Sequence, residues 1–225
     1  MPEVILHQWE ISPFCGKVRK VLRRKGIAFT VRDYNGLLAT KAASLSPAGQ
    51  LPVLDIDGQR IQDSSAIVAY LDARVPEPAL LPAAPAERAL ALLLEDWADE
   101  SLYWFEMALR MGDPAVRPRV AALLSAGRPD WERRLMGFVL GRSFPKKLRA
   151  QGIGRLPPER LHALLFGHLA ALEDLLAAGP WLVGSAMSIA DIAVSAQLDE
   201  IVRTSPLAPR VLAYPRLRDW LARCA

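Results

Sequence analysis

The residues best suited to chemistry stand close together near the start of the chain, in the run Ser12-Pro13-Phe14-Cys15. A hydroxyl and a thiol lie three residues apart there, between a strand-like stretch (Val4 to Trp9) and a helix-like stretch ending near Lys25. A Ser-Pro pair that opens a helix leaves the hydroxyl among backbone N–H groups without intrahelical partners, where an anion or a thiolate is stabilised. Cys15, one turn into the helix, reads as a small packing residue, with a redox or mixed-disulfide role as the alternative. Cys15 and Cys224 sit at opposite ends of the chain, so they frame no disulfide scaffold. His7, His162 and His168 have no metal-ligand spacing, and no metal site is expected.

Three further motifs follow in order. Gln50-Leu51-Pro52 precedes the strand-like Val53-Leu54-Asp55. Asp63-Ser64-Ser65 is an N-cap signal for a helix from Ala66 to Arg74 with Ile67, Val68 and Leu71 as its apolar stripe. Ser188-Ile189-Ala190-Asp191 has the form of a capping box, flanked by Met187 and Ile192 as a hydrophobic staple.

The elements that must hold these motifs read as two domains. In residues 1–75 a strand to Trp9, a helix over 13–25 stopped by Gly26, and a strand over Ile27 to Val31 make a parallel β-α-β unit. On that helix Phe14, Val18, Val21 and Leu22 form the apolar face, and Lys17 is assigned elsewhere with the other bases. A short irregular helix (Leu37 to Leu45), a hairpin turning at Asp57-Gly58, and the 66–74 helix complete the order βαβαββα. Residues 76–86, with four prolines, read as a linker. From 87 to 225 the strand signals stop. A long helix over 87–111 is expected to bury Leu90, Leu93, Leu94, Trp97, Ser101, Trp104, Phe105 and Ala108. Shorter helices are expected over about 115–125 and 130–149, then 158–178, 189–203 and 215–223. The fold class is therefore an α/β N-terminal domain followed by an all-α domain.

With 23% charged and 52% hydrophobic residues the composition is globular. No apolar run approaches the ~20 residues of a spanning helix, and the N-terminus lacks a secretory pattern, so a cytoplasmic protein is expected. The net charge of +4 is uneven, since residues 110–160 hold twelve bases and four acids. That segment reads as a solvated helical surface, with an acidic partner or anionic ligand as the alternative. No nucleic-acid motif accompanies it.

Taken together over nearly the whole chain, these motifs resemble the soluble glutathione transferase superfamily, in its serine-type form. That resemblance implies a thioredoxin-like first domain, a cis Leu51-Pro52 peptide, and glutathione as co-substrate. It implies that Leu51 pairs its backbone with the cysteinyl part of glutathione and that Asp63 and Ser64 hold the γ-glutamyl end. Ser12, Phe14, Gln50 and Pro52 complete the implied glutathione-binding set. Gln50 stands where many relatives carry a lysine for the glycyl carboxylate, which keeps a hydrogen bond and loses a charge. Ser12 is implied as the catalytic hydroxyl, with Cys15 a second candidate; cysteine-type relatives place their reactive cysteine where Ser12 stands. A small, apolar electrophile is implied to bind between the domains at Ser101, Trp104 and Phe105. A homodimer active in detoxification, with the acidic side of the 87–111 helix near the two-fold, is also implied.

The chemistry is of a tractable size. A thiol of pKa ~8.5 needs its pKa lowered by about two units, or ~2.7 kcal/mol, to be mostly thiolate at neutral pH. One hydroxyl donating to a charged acceptor contributes roughly 1.5 to 3 kcal/mol and a helix N-terminus adds about 0.3 to 1. Conjugation, isomerisation or peroxide reduction is then open to the site. Two other readings are a non-catalytic binding module that uses the basic 110–160 segment, and a thiol-disulfide reductase acting through Cys15.

Overall fold

The computed structural model describes residues 3–225. They divide into two compact units, Met1–Ala79 with Ala121–Met136, and Leu80–Val120 with Gly137–Ala225.

The first unit contains β1 (Ile5–Gln8), α1 (Pro13–Arg24), β2 (Thr30–Asp33), a 3-10 segment (Gly36–Ser44), β3 (Val53–Ile56), β4 (Gln59–Gln62) and α2 (Ser64–Arg74). The four strands run in the order β2-β1-β3-β4, with β1 and β2 parallel and the other neighbours antiparallel. This is the thioredoxin-like arrangement expected from the pattern. Pairing of β1 with β3 sets Leu6 beside Leu54, and with Val18, Leu22, Ile67 and Leu71 they form a core closed to solvent. The β3–β4 hairpin turns on Asp57 and Gly58, at φ +53° and +74°, the paired left-handed conformation of a two-residue hairpin loop.

Two details of this unit depart from expectation. β2 starts at Thr30, because Gly26 at φ +64° ends the helix and the next three residues cross to the sheet. All four β2 residues are exposed, so this edge strand lacks the alternating burial that marks a strand in sequence. Lys17 is buried and lies on the inner side of α1, where its charge alone argued for solvent. Its ammonium donates to Ser65 Oγ at 3.0 Å, with the methylene stem packed inward.

From Pro85 the chain is helical: α3 (Pro85–Trp97), α4 (Tyr103–Met107), α5 (Arg117–Leu124), α6 (Asp130–Gln151), α7 (Pro158–Leu175), α8 (Ile189–Thr204), α9 (Ala208–Val211) and α10 (Pro215–Arg223). α3 opens inside the stretch read as linker, since proline suits the first helical position. Between α3 and α4, and again after α4, the helix continues as π turns over Ala98–Leu102 and Ala108–Gly112.

The inward face of this long helix differs from the predicted stripe. Leu90 and Leu93 are 40% and 67% exposed, whereas Ala91, Ala98, Leu102 and Phe105 are buried. α3 packs on α8, where Ala190 and Ala193 are also buried. Small residues let the two helices approach closely, and a pattern scored by large apolar side chains misses that face.

Ser188 and Asp191 form the capping box of α8 as expected. Asp191 is fully buried. One oxygen accepts from the Ser188 N–H at 2.8 Å and the Ser188 hydroxyl at 3.0 Å. The other accepts from the Leu182 N–H and the Trp220 indole N–H, both at 2.8 Å. One carboxylate thus ties α8, α10 and the loop before α8.

Candidate functional site

Ser12 is the N-cap of α1, and its Oγ accepts from the Cys15 N–H at 3.4 Å, a long and weak bond. Its own N–H donates to Trp9 O at 3.0 Å, which fixes the turn out of β1. The Ser12 side chain also bonds the Cys15 thiol, and a hydroxyl can both donate and accept. Phe14, the next residue but one, is half-buried.

Cys15 has no solvent exposure and packs with Ala42, Leu51 and Val53, bordered by Trp9, Tyr34 and Leu45. Burial pushes its thiol up to about 11, against smaller lowering by the Ser12 side chain and Arg19. At neutral pH only about one such thiol in ten thousand is ionised. Burial therefore favours the protonated thiol, which is the less reactive form toward a disulfide.

The Leu51–Pro52 peptide is cis, and both residues are buried. They enter β3 beside β1, since Val53 pairs with His7. Gln50, just before them, is exposed, and its carbonyl accepts from Ser46 Oγ at 3.4 Å.

At the start of α2, Asp63 sits at φ +77°, a conformation that strains a residue with a Cβ. One of its carboxylate oxygens accepts from the Ser65 and Ala66 N–H groups at 3.0 and 2.9 Å. Asp63 is exposed while Ser64 is buried. Lys17, bonded to Ser65, brings a buried cation to this same helix end. Sequence reasoning missed it, although Lys17 lies three residues after Phe14 and four before Val21, at the edge of the apolar stripe.

Two contacts thus bring the first-unit residues together: Cys15 against Leu51, and Lys17 against Ser65. Ser101, Trp104 and Phe105 belong to the second unit. There the Phe105 ring meets His168 edge-on at 5.4 Å and Trp104 meets Tyr103 at 5.3 Å. Trp97 also meets His168, at a tilt of 57° and 5.3 Å between ring centres, and burial lowers the pKa of this histidine. Ser101 and Trp104 are half-buried and Phe105 is buried.

Part of the positive charge in the 110–160 segment is used internally, by Arg110 and Arg128. Arg110 is buried against Glu106 and lies 3.5 Å from Glu200. Arg128 makes two bonds to Glu132, at 3.0 and 2.6 Å. Arg119, Arg134, Arg142, Lys146, Lys147, Arg149 and Arg160 are exposed. Beneath the sheet another network was not foreseen. His7 contacts the Tyr34 hydroxyl at 2.7 Å and Asp55 at 3.0 Å, and Asp55 accepts two bonds from Arg60 at 2.7 Å. Among the described residues no cluster of three metal-ligating side chains occurs, and no helix is long and apolar enough to cross a membrane.

The sheet topology, the N-capped α1 and the helical second unit define a class that the comparisons identify directly. Residues 6–79 match the glutathione S-transferase N-terminal domain and residues 159–223 the glutathione S-transferase C-terminal domain. The chain belongs to the glutathione S-transferase family. It is 30% identical over 207 residues to FtsZ-localized protein A of Caulobacter vibrioides, covering 88% of this chain and 77% of that one. It is 26% identical over 220 residues to isoprene-epoxide–glutathione S-transferase of Rhodococcus sp., covering 95% and 91%. Among solved structures, FzlA from C. crescentus superposes with a TM-score of 0.66 at 26% identity, over 98% of this chain and 87% of that one.

Proposed function

We propose that the protein is a glutathione transferase in which Ser12 holds the glutathione sulfur as a thiolate. The observation that carries this reading is the place of Ser12: a half-buried N-cap hydroxyl at the start of α1, beside a Cys15 thiol whose pKa burial raises. Leu51 and Pro52 offer the edge that pairs with the peptide, and the α2 N-terminus with Asp63 and Ser64 suits the γ-glutamyl ammonium and carboxylate. Phe14 and Gln50 border the same site in this reading. The thiolate attacks an electrophilic carbon of a small apolar substrate, forming the C–S bond as a leaving group departs or a ring opens, and the thiol proton passes to solvent. Ser101, Trp104 and Phe105 are the residues proposed to contact that substrate. The reading includes a cytoplasmic homodimer with a role in detoxification.

The test is Ser12→Ala. The pKa of bound glutathione, followed by thiolate absorbance, rises by about one to two units, and turnover of a chlorodinitrobenzene electrophile falls about 10- to 100-fold at neutral pH. Glutathione binding is retained. Unchanged turnover overturns the role assigned to Ser12.

A second reading, a non-catalytic module that binds an acidic protein, is favoured by α6. That helix exposes Trp131, Phe138 and Val139 at 56%, 65% and 45% together with the bases Arg134, Arg142, Lys146 and Arg149. The name of the Caulobacter relative, FtsZ-localized protein A, points the same way. Failure to bind immobilised glutathione, with salt-sensitive binding to an acidic partner, selects it.

A further inference from the structure

Glu132 is an acid in a basic, exposed stretch of sequence, yet its side chain is only 2% exposed. Its carboxylate accepts the backbone N–H of Leu37, 95 residues away, at 2.9 Å. Arg128, one helical turn earlier, holds both carboxylate oxygens at 3.0 and 2.6 Å. Next to Leu37, Gly36 stands at φ +58°, and a Cβ there would collide with the Glu132 carboxylate. Asn35 adds a bond from its side-chain amide to Ala126 O at 3.0 Å. All of these residues belong to the first unit.

What this contact grips is the Gly36–Ser44 segment, a nine-residue 3-10 run in which only Gly36 and Ala42 are buried. A 3-10 run of that length is poorly bonded and mostly solvated, so it draws little stability from itself. Yet Ala42, within the segment, belongs to the buried cluster of Cys15, Leu51 and Val53, and Leu45, its C-cap, packs against that cluster. The segment is therefore a wall of the candidate site whose order depends on an outside anchor.

We propose that Glu132 is a positioning residue for the glutathione site. Clamped by Arg128, it latches the start of the Gly36–Ser44 wall so that Ala42 and Leu45 close over Cys15 and Leu51. The inference rests on the glutathione reading above for its ligand, and on the geometry alone for the latch. The carboxylate touches no reacting atom; its effect passes through the Leu37 N–H to the wall.

The test compares Glu132→Ala with Glu132→Gln, since glutamine keeps an acceptor for the Leu37 N–H and loses the ion pair. In Glu132→Ala, hydrogen exchange of the 37–45 amides and alkylation of Cys15 by iodoacetamide, read by peptide mass, both accelerate about tenfold or more. The KM for glutathione rises about tenfold while kcat stays within about twofold. Glu132→Gln recovers part of each effect, which general loss of stability would not produce. Should Glu132→Ala fail to fold, Gly36→Ala displaces the same carboxylate and is read by the same exchange and alkylation. Unchanged exchange and alkylation in a folded variant overturn the latch, as does a loss of kcat with KM unmoved. Absence of glutathione binding by the wild-type protein overturns instead the ligand assigned to the site, and exchange and alkylation still decide the latch.

Discussion

Removing the Asp191 carboxylate isolates one of the largest single contributions in the helical unit. Asp191→Ala strips the acceptor from four donors: the Leu182 and Ser188 N–H groups, the Ser188 hydroxyl and the Trp220 indole N–H. The hydroxyl can rotate to another acceptor, but the other three cannot, and the site is closed to water. Each stranded buried donor costs about 1 to 3 kcal/mol, and the desolvation of the charge itself is recovered. A net loss of about 4 kcal/mol follows, against a typical total of roughly 5 to 15. Asp191→Asn should lose about half as much: its carbonyl can serve Leu182 and Trp220 while its NH2 faces the Ser188 N–H. The assay is urea unfolding followed by tryptophan fluorescence, with a thermal scan in parallel. A melting temperature lower by about 8 to 16 °C is expected for the alanine variant. A loss below about 1 kcal/mol at unchanged m-value would refute the reasoning, because it would mean that the stranded donors find other partners at no cost.

Two further outcomes follow from the first unit. The Arg60 guanidinium, with a smaller contribution from His7, holds the Asp55 carboxyl down at about 2, below its ordinary value of 3.8. A depressed folded-state pKa stabilises the fold above the ordinary carboxylate range, and this contribution is lost as pH falls from near 4 through about 2. It is on the order of 2 kcal/mol at most, reduced by salt because Arg60 is half-exposed; urea midpoints measured across that window should show it in the wild type and lack it in Asp55→Asn. At α2, Asp63→Asn keeps the cap to Ser65 and Ala66 and removes the charge. Stability should then stay within about 0.5 kcal/mol while the KM for glutathione rises about tenfold. A purely structural Asp63 predicts no change in KM.

The thioredoxin-like order of elements was legible because its signals are local. Gly26 closes α1, Asp57-Gly58 turns the hairpin, and Ser-Ile-Ala-Asp caps α8. The Ser12 N-cap and the Leu51–Pro52 entry to β3 were likewise readable from the chain. Lys17 was misassigned because charge was weighed before position on the helix. The Glu132–Leu37 bond had no local signal, since it joins residues 95 apart through a backbone amide that any residue carries. Leu90 and Leu93 were taken as inward because size stands in for burial when a partner helix is unknown, and α8 selects alanines instead.

The π turns at Ala98–Leu102 and Ala108–Gly112 make residue count a variable of the packing between Pro85 and Gly112. Each residue of an α-helix advances the face by about 100°. A wide i→i+5 turn holds one residue more than an α turn, so a one-residue deletion within Ala98–Leu102 can restore ideal helix geometry and leave Trp104, Phe105 and Arg110 close to their present faces. The same deletion inside α3 would turn every following side chain by about 100°, so these two wide turns are the places where the length of this helix changes at least cost to its packing.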